Sequence, residues 1–394
     1  MYRVLSVGIL RGLNGLNTSM MNLYRNMDRD LVQWDFLIMN KFRDEESQLE
    51  TEIRDLGGRI HYLTYDNLGI PKGSRKKFRE LLSSDPEIMG VHVHALSLNV
   101  WPLWAAGQLD LPVRVIQGHS GPSRSSLASK GPVMNASVRA RLRMIEGDDY
   151  DRWACSDLVG ANLYRGLPFE VFPNAVDTKR FAFNPVYRQV VRSQLDIGED
   201  TVVIGFVGTL YPIKNLLFAL QVFKCYHRRN PNSRMLILGG RVVEETEYLD
   251  KCMAYPKENG MEDAVRFLGV QPSIDVFYSA FDAMLCPSRH EGFPNVLVEA
   301  QAAGVPCLVS DEITETVRLT DLVTMLPLEQ PGEDKPEQVW AEKLEQILPE
   351  NPERRSYGKE IKSAGYDIRD AGRRLTEHYL NRIEAWERRR AKEK

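Results

Sequence analysis

A chain of 394 residues is too long for one ordinary hydrophobic core and suits two domains of roughly 150–200 residues each. Hydrophobic residues at 43% and charged residues at 27% are the proportions of a globular enzyme, and no run approaches the roughly 18 apolar residues of a membrane span. A net charge of −3 gives no global pull toward nucleic acid, and five scattered cysteines, never in a C-x-x-C pair, support neither a disulfide framework nor a zinc site, which points to a reducing cytoplasm.

The opening "MYRVLSVGILRGLNGLN" turns to glycines and polar residues where a signal peptide would continue, so Val4–Leu10 is predicted to be a first strand. Further β-branched runs follow at "WDFLIMN", "GRIHYL", "MGVHVHAL" and "VRVIQGH", separated by segments of helical spacing such as 15–29 and 97–109. Residues 172–200, rich in turn formers and charge, predict a boundary. A second strand series starts at "TVVIGFVGTL" and runs through "RMLILGG", "AVRFLGV", "DAMLCPS" and "VPCLVS", whose continuous apolar character fits strands buried on both faces. After about residue 335 the pattern turns helical and ends in one long amphipathic stretch. The expected fold is α/β: two doubly wound Rossmann-like domains, 1–173 and 201–355, a linker at 174–200, and helices at 356–394 crossing back to the first domain. Such domains would turn their binding loops to the walls of one central cleft.

In "SRHEGFPNVLVEAQAAGVPCLVS", Pro294 suits the first turn of a helix and Gly304 the cap after its last turn. Glu291 is then a loop residue and Glu299 a helical one. The helix climbs about 7–8 Å from Pro294 to Glu299 at 1.5 Å per residue, unlike the roughly 5 Å carboxylate pair of a retaining glycosidase. Two carboxylates so spaced suit the hydroxyls of two distant parts of one ligand, with the exposed N–H groups between them favouring a phosphate. Lys214 precedes a helix start, where a lysine is unfavourable without an anion nearby.

Together with "VGTLYPIKN", "VFPNAVDTKRF", "RVIQGHSG", "ACS" and "AGYDI", this segment makes the chain resemble the retaining glycosyltransferases of family four, which have the GT-B fold, and among them bacterial exopolysaccharide and capsule enzymes. The resemblance covers nearly the whole chain. It implies a metal-independent enzyme that needs no cofactor and passes a sugar from a nucleotide diphosphate donor, a UDP-sugar by expectation, to a saccharide or lipid-linked saccharide. Glu291 would contact the donor sugar, Glu299 the ribose and Lys214 the diphosphate, with His119 near the transferred sugar; His119, Glu291 and Lys214 are the implied catalytic set. Gly15 would bring backbone to the donor phosphate or acceptor. Gly208, Thr209, Asn215, Gly292, Phe293, Pro294, Asn295 and Val296 complete the implied donor contacts.

Two segments depart from the family's pattern, the loop at Thr209 and the N-terminal loop. Thr209 stands where an arginine is usual, and a neutral hydroxyl does not replace a bidentate guanidinium. Asn17 stands at a usually acidic position, and Asn14 precedes Gly15 where paired glycines are usual. These departures leave open weakened or altered donor activity, support from Arg289 or Arg241, a nucleotide-sugar-binding subunit that has lost catalysis, or a nucleotide-sugar epimerase on the same fold.

The alternating His92 and His94 share one strand face but lack a completing ligand pattern, so they read as structural. "IGFVG" lacks the G-x-G-x-x-G spacing of a nicotinamide site. The stretch 111–145 carries Arg114, Arg124, Lys130, Arg139, Arg141 and Arg143 without an acid, so it is either a solvated face or a contact with anionic phospholipid or a lipid-linked diphosphate acceptor. The expected location is the cytoplasm, at the inner face of its membrane where that contact forms.

Overall fold

The computed structural model describes residues 1–9, 15–39, 48–63, 74–95, 98–120, 132–240, 246–329, 335–348 and 354–393. The chain forms two compact units: Met1–Ala175 with Ile368–Lys394, and Val176–Asp367.

The first unit is built on a seven-stranded, wholly parallel sheet. Its strands are β1 (Tyr2–Ile9), β2 (Val32–Met39), β3 (Ile60–Leu63), β4 (Ile88–Ala95), β5 (Val113–Gly118), β6 (Asp151–Ala154) and β7 (Glu170–Val171), in the order β3-β2-β1-β4-β5-β6-β7. The apolar run "IMGVHVHA" fills β4, which is buried at every position, as a central strand covered on both faces must be. Helix Gly15–Asn26 and the long helix Ile368–Glu393 pack together on this sheet, and Leu375, Tyr379 and Ile383 enter the same core as Trp34 and Trp153.

The second unit has a six-stranded parallel sheet of β8 (Val202–Val207), β9 (Ser233–Leu238), β10 (Val265–Gly269), β11 (Ala283–Cys286), β12 (Cys307–Ser310) and β13 (Val323–Leu326). The order is β10-β9-β8-β11-β12-β13, so the strand sequence reverses beside β8 and its loops are where such a sheet binds ligands. Both sheets match the expected α/β class.

The boundaries differ in informative places. Residues 174–200, read above as a linker, hold the helix Pro185–Gln194, which packs on helix Ile274–Ala280 through buried Val191 and Arg192. The Arg192 guanidinium is paired with Asp282 and bonded to the carbonyls of Gly198 and Thr201, which is why so polar a segment is ordered. The helix expected over 97–109 spans Trp101–Gln108, because Pro102 near its N-terminus sets the start. Among the described residues no helix is long and apolar enough to cross a membrane.

Candidate functional site

Strand β8 ends at Val207, and the chain leaves it through Gly208, whose φ of +153° few side chains adopt. Just beyond the neighbouring strand β9, a Cβ at Gly239 would lie 1.7 Å from the Gly208 carbonyl oxygen, so Gly239 is required by a close backbone approach and Gly208 by its φ. The chain then makes a short 3₁₀ turn, Pro212–Lys214, and Asn215 takes a left-handed conformation, φ +58°, before helix Leu216–Arg229 begins. The Lys214 stem passes 3.8 Å from where a Gly208 Cβ would stand. Asn215 Nδ2 is buried with no hydrogen-bond partner among the described residues.

The loop after β11 closes on this turn, with the Arg289 amide donating to the Ile213 carbonyl at 2.8 Å. Lys214 Nζ forms an ion pair with Glu291 Oε1, and the Ser288 hydroxyl donates to the same oxygen at 2.9 Å. Among the described residues Glu291 Oε2 has no protein partner, and the lysine ammonium retains two further donors. Lys214 and Glu291 therefore reach any ligand as a half-buried, pre-paired unit.

Helix Asn295–Ala302 starts one residue later than its proline suggested: Pro294 is the N-cap and Asn295 the first helical residue. Proline's extended ψ of 98° keeps it outside the helix. Gly304, φ +69°, follows the C-cap Ala303 as expected, and a Cβ there would lie 2.0 Å from the Arg355 carbonyl oxygen. Glu299 is buried, and the Tyr278 hydroxyl donates to its Oε2 at 2.7 Å. Burial pushes the Glu299 carboxyl up to about 7, against the Tyr278 hydrogen bond and the Arg180 charge, which both favour the anion. Glu299 Oε1 is also unpartnered among the described residues. Phe293 stacks on Tyr366 at 5.2 Å, fixing the turn that separates the two glutamates.

Of the expected donor contacts, the second unit thus gathers Gly208, Lys214 and Asn215 on one loop, ties that loop to Glu291, and places Gly292–Val296 at the start of the helix that carries Glu299. Thr209 is exposed at the end of β8, and its carbonyl accepts from the Tyr211 amide. Arg241 lies outside the described residues; Arg289 is exposed.

His119 is in the first unit, just beyond β5, and is buried. Its Nδ1 bonds Asn174 Oδ1 at 3.1 Å and its Nε2 bonds His94 Nδ1 at 3.0 Å. With Asn174 Oδ1 as acceptor, His119 Nδ1–H donates to it and Nε2 accepts from His94, an assignment that follows the amide's orientation. Both ring nitrogens are engaged, so a sugar hydroxyl would have to displace one partner. Burial lowers His119 to about 4 and drives His92 and His94 well below the usual histidine range, so all three are neutral at pH 7. His92 and His94 stack at 4.1 Å, and His92 Nδ1 bonds the Tyr379 hydroxyl at 2.5 Å, which ties the terminal helix to this row.

Gly15 is the exposed first residue of helix Gly15–Asn26, so residues 15–18 are helical, and Gly12–Asn14 lie outside the described residues. The basic stretch 111–145 loses a member: Arg114 is buried, with its guanidinium on the Leu111 carbonyl and beside Asp110 and Asp149. Arg124 and Lys130 lie outside the described residues. Sequence reasoning missed Tyr278, Ser288 and Asn174. Ser288 lay within reach, three residues before Glu291 on one loop, whereas nothing in the sequence joins Tyr278 to Glu299.

A family profile described as "Glycosyl transferases group 1" matches residues 188–364. The chain is 31% identical over 373 residues to the putative glycosyltransferase EpsF of Bacillus subtilis (strain 168), covering 91% of this chain and 92% of that one. A shorter likeness, 29% over 148 residues and 37% of each chain, joins it to the UDP-Gal:alpha-D-GlcNAc-diphosphoundecaprenol alpha-1,3-galactosyltransferase of Escherichia coli. Among solved structures, Anabaena Alr3699/HepE in complex with UDP and glucose superposes with a TM-score of 0.72 at 16% identity, over 97% of this chain and 100% of that one.

Proposed function

This chain belongs to the group 1 glycosyl transferases and has the GT-B fold, and from that premise we propose that it moves a sugar from a UDP-sugar to a saccharide or lipid-linked saccharide with retention at the anomeric carbon. The pathway served is exopolysaccharide or capsule-type glycan assembly. The observation that carries the donor site is the pair Glu291 and Glu299: each has one oxygen fixed by a protein donor and one left for a hydroxyl. The start of helix Asn295–Ala302 lies between them in sequence and the Lys214 ammonium is paired with Glu291, and these are the groups a diphosphate needs. UDP as the nucleotide rests on what the HepE structure and the galactosyltransferase are named for, and the lipid-linked acceptor on the latter.

Departure of UDP builds negative charge on the diphosphate. Lys214 and the oriented amides stabilise that charge, each such donor being worth about 3 kcal/mol in a water-excluded site. Attack from the same face as departure lets the donor phosphate take the acceptor proton, so no protein base is required. A neutral His119 with both nitrogens engaged supports that division of labour. Turnover is then metal-independent and persists in EDTA. Association with the inner face of the membrane would use the exposed Arg139 and Arg143 of helix Pro132–Arg143.

The test is incubation with UDP-glucose, UDP-galactose and UDP-N-acetylglucosamine, with and without an undecaprenyl-diphosphate-linked sugar, followed by proton NMR of the product. Acceptor-dependent donor loss with an α-anomeric coupling supports the reading. Donor conversion without acceptor supports the epimerase, and binding without turnover the non-catalytic subunit to which Thr209 pointed.

A further inference from the structure

We propose that Tyr278 is the positioning residue for the nucleotide-gripping carboxylate: its hydroxyl fixes one oxygen of Glu299 so that the other is presented to the ligand. The proposal deepens the donor-site reading above and rests on it.

Tyr278 is fully buried near the end of helix Ile274–Ala280, and its hydroxyl donates to Glu299 Oε2 at 2.7 Å. A glutamate has three rotatable bonds, and no second hydrogen bond holds this one among the described residues, so the Tyr278 hydroxyl decides where the carboxylate points. The helix ends behind the pair are locked together. Arg354, half-buried and stacked over Phe183, donates to the carbonyls of Tyr278, Ser279 and Phe281 at the end of one helix and Ala303 at the end of the other. Tyr278 is itself wedged edge-on between Phe181 and Phe281. Donor and acceptor are therefore both held from behind, which is what precise presentation of one carboxylate oxygen needs.

The same geometry makes the grip sensitive to pH. On the helix of Tyr278, Asp275 opposes ionisation of Glu299; Arg180, paired with Asp275, favours it; Cys286 of β11 and Cys307 of β12 stand near Tyr278 as neutral thiols whose titration burial moves upward. Burial outweighs these charges and holds the Glu299 carboxyl at about 7. Only the anion offers a hydroxyl its full acceptor strength. The Tyr278 bond favours that anion, so its loss moves the titration to higher pH.

The test is calorimetric titration of UDP into the full-length protein, its Tyr278→Phe variant and its Glu299→Gln variant between pH 6 and 9, with melting temperatures as a control. UDP's own ionisation is common to all three and drops out of the comparison. The expected result is that wild-type affinity rises through about pH 7, that Tyr278→Phe binds roughly 3- to 10-fold more weakly at pH 7 with the rise displaced to higher pH, and that Glu299→Gln binds weakly without the rise. Wild-type affinity and an undisplaced rise in Tyr278→Phe, with affinity lost in Glu299→Gln, overturn the proposal alone. Full UDP affinity in Glu299→Gln, or none in the wild type, overturns the donor-site reading and the proposal with it. If Tyr278→Phe fails to fold, Glu299→Asp keeps the charge but withdraws it from Tyr278 by one methylene. It should weaken UDP to a similar degree, and unchanged affinity there counts against the proposal.

Discussion

Lys214 and Glu291 are each other's partner before any ligand arrives, and this pairing sets what their removal costs. On the proposed donor reading, Lys214→Ala removes the charge that stabilises the diphosphate and leaves Glu291 half-buried without its cation. We expect kcat/KM for the donor to fall by about 10²- to 10³-fold, with most of the loss in kcat. The buried histidines give a different expectation. Their folded-state pKa values lie below the ordinary value of about 6.5, so the folded chain refuses protons that the unfolded chain accepts. The stability they contribute is complete above about pH 6.5 and is lost as pH falls toward the His119 value of about 4. Glu299 has the opposite sign, its contribution being complete below the ordinary carboxylate range and lost as pH rises through about 7. Melting temperature should therefore drop steeply between pH 6.5 and 5, which scanning calorimetry across that range checks. At this scale the site was half legible. Glu299 showed itself as a lone charge in "VLVEAQAAG", a helix too apolar to face water. Tyr278 was illegible because it meets Glu299 only through the packing of two helices 21 positions apart in sequence.

Helix Asn295–Ala302 is eight residues long, too short to persist alone, and is held in place by what packs on its ends. Gly304→Ala places a Cβ against the Arg355 carbonyl at φ +69° and should cost about 2 kcal/mol or more. Arg354→Met removes a guanidinium that serves four carbonyls and should cost about 3 kcal/mol. Chemical denaturation would measure both, with UDP affinity falling alongside because the same helix carries Glu299. Strands of six to eight residues such as β1, β4 and β8 were legible from their apolar runs. Those missed were β6, β7 and β13, of four, two and four residues, where no periodicity has room to develop and pairing with a neighbour makes the strand. Helix Pro185–Gln194 was missed for another reason: Arg188 and Arg192 face inward while Val186 and Val190 are exposed, which inverts the usual pattern.

The chain leaves the first unit at Ala175 and returns to it at Ile368, so the last helix completes a core that the chain had left at Ala175. Ending the chain after Asp367 would withdraw Leu375, Tyr379 and Ile383 from that core, at about 1.5–3 kcal/mol each. It would also remove the hydroxyl that holds His92. Such a truncation should leave the first unit unfolded, seen as loss of its cooperative melting transition, while Val176–Asp367 retains its own sheet. The central claim concerns the second unit, that it is a UDP-sugar site gripped by Lys214 and Glu299. The most direct measurement is a thermal-shift screen of the wild type, Lys214→Ala and Glu299→Ala against UDP-, GDP-, ADP- and dTDP-sugars. A ligand at 100 times its dissociation constant stabilises by about 2.7 kcal/mol, enough for a clear shift. The expected result is a shift with UDP-sugars that both variants lose; a wild type unmoved by every donor, or variants that shift as the wild type does, would contradict the account.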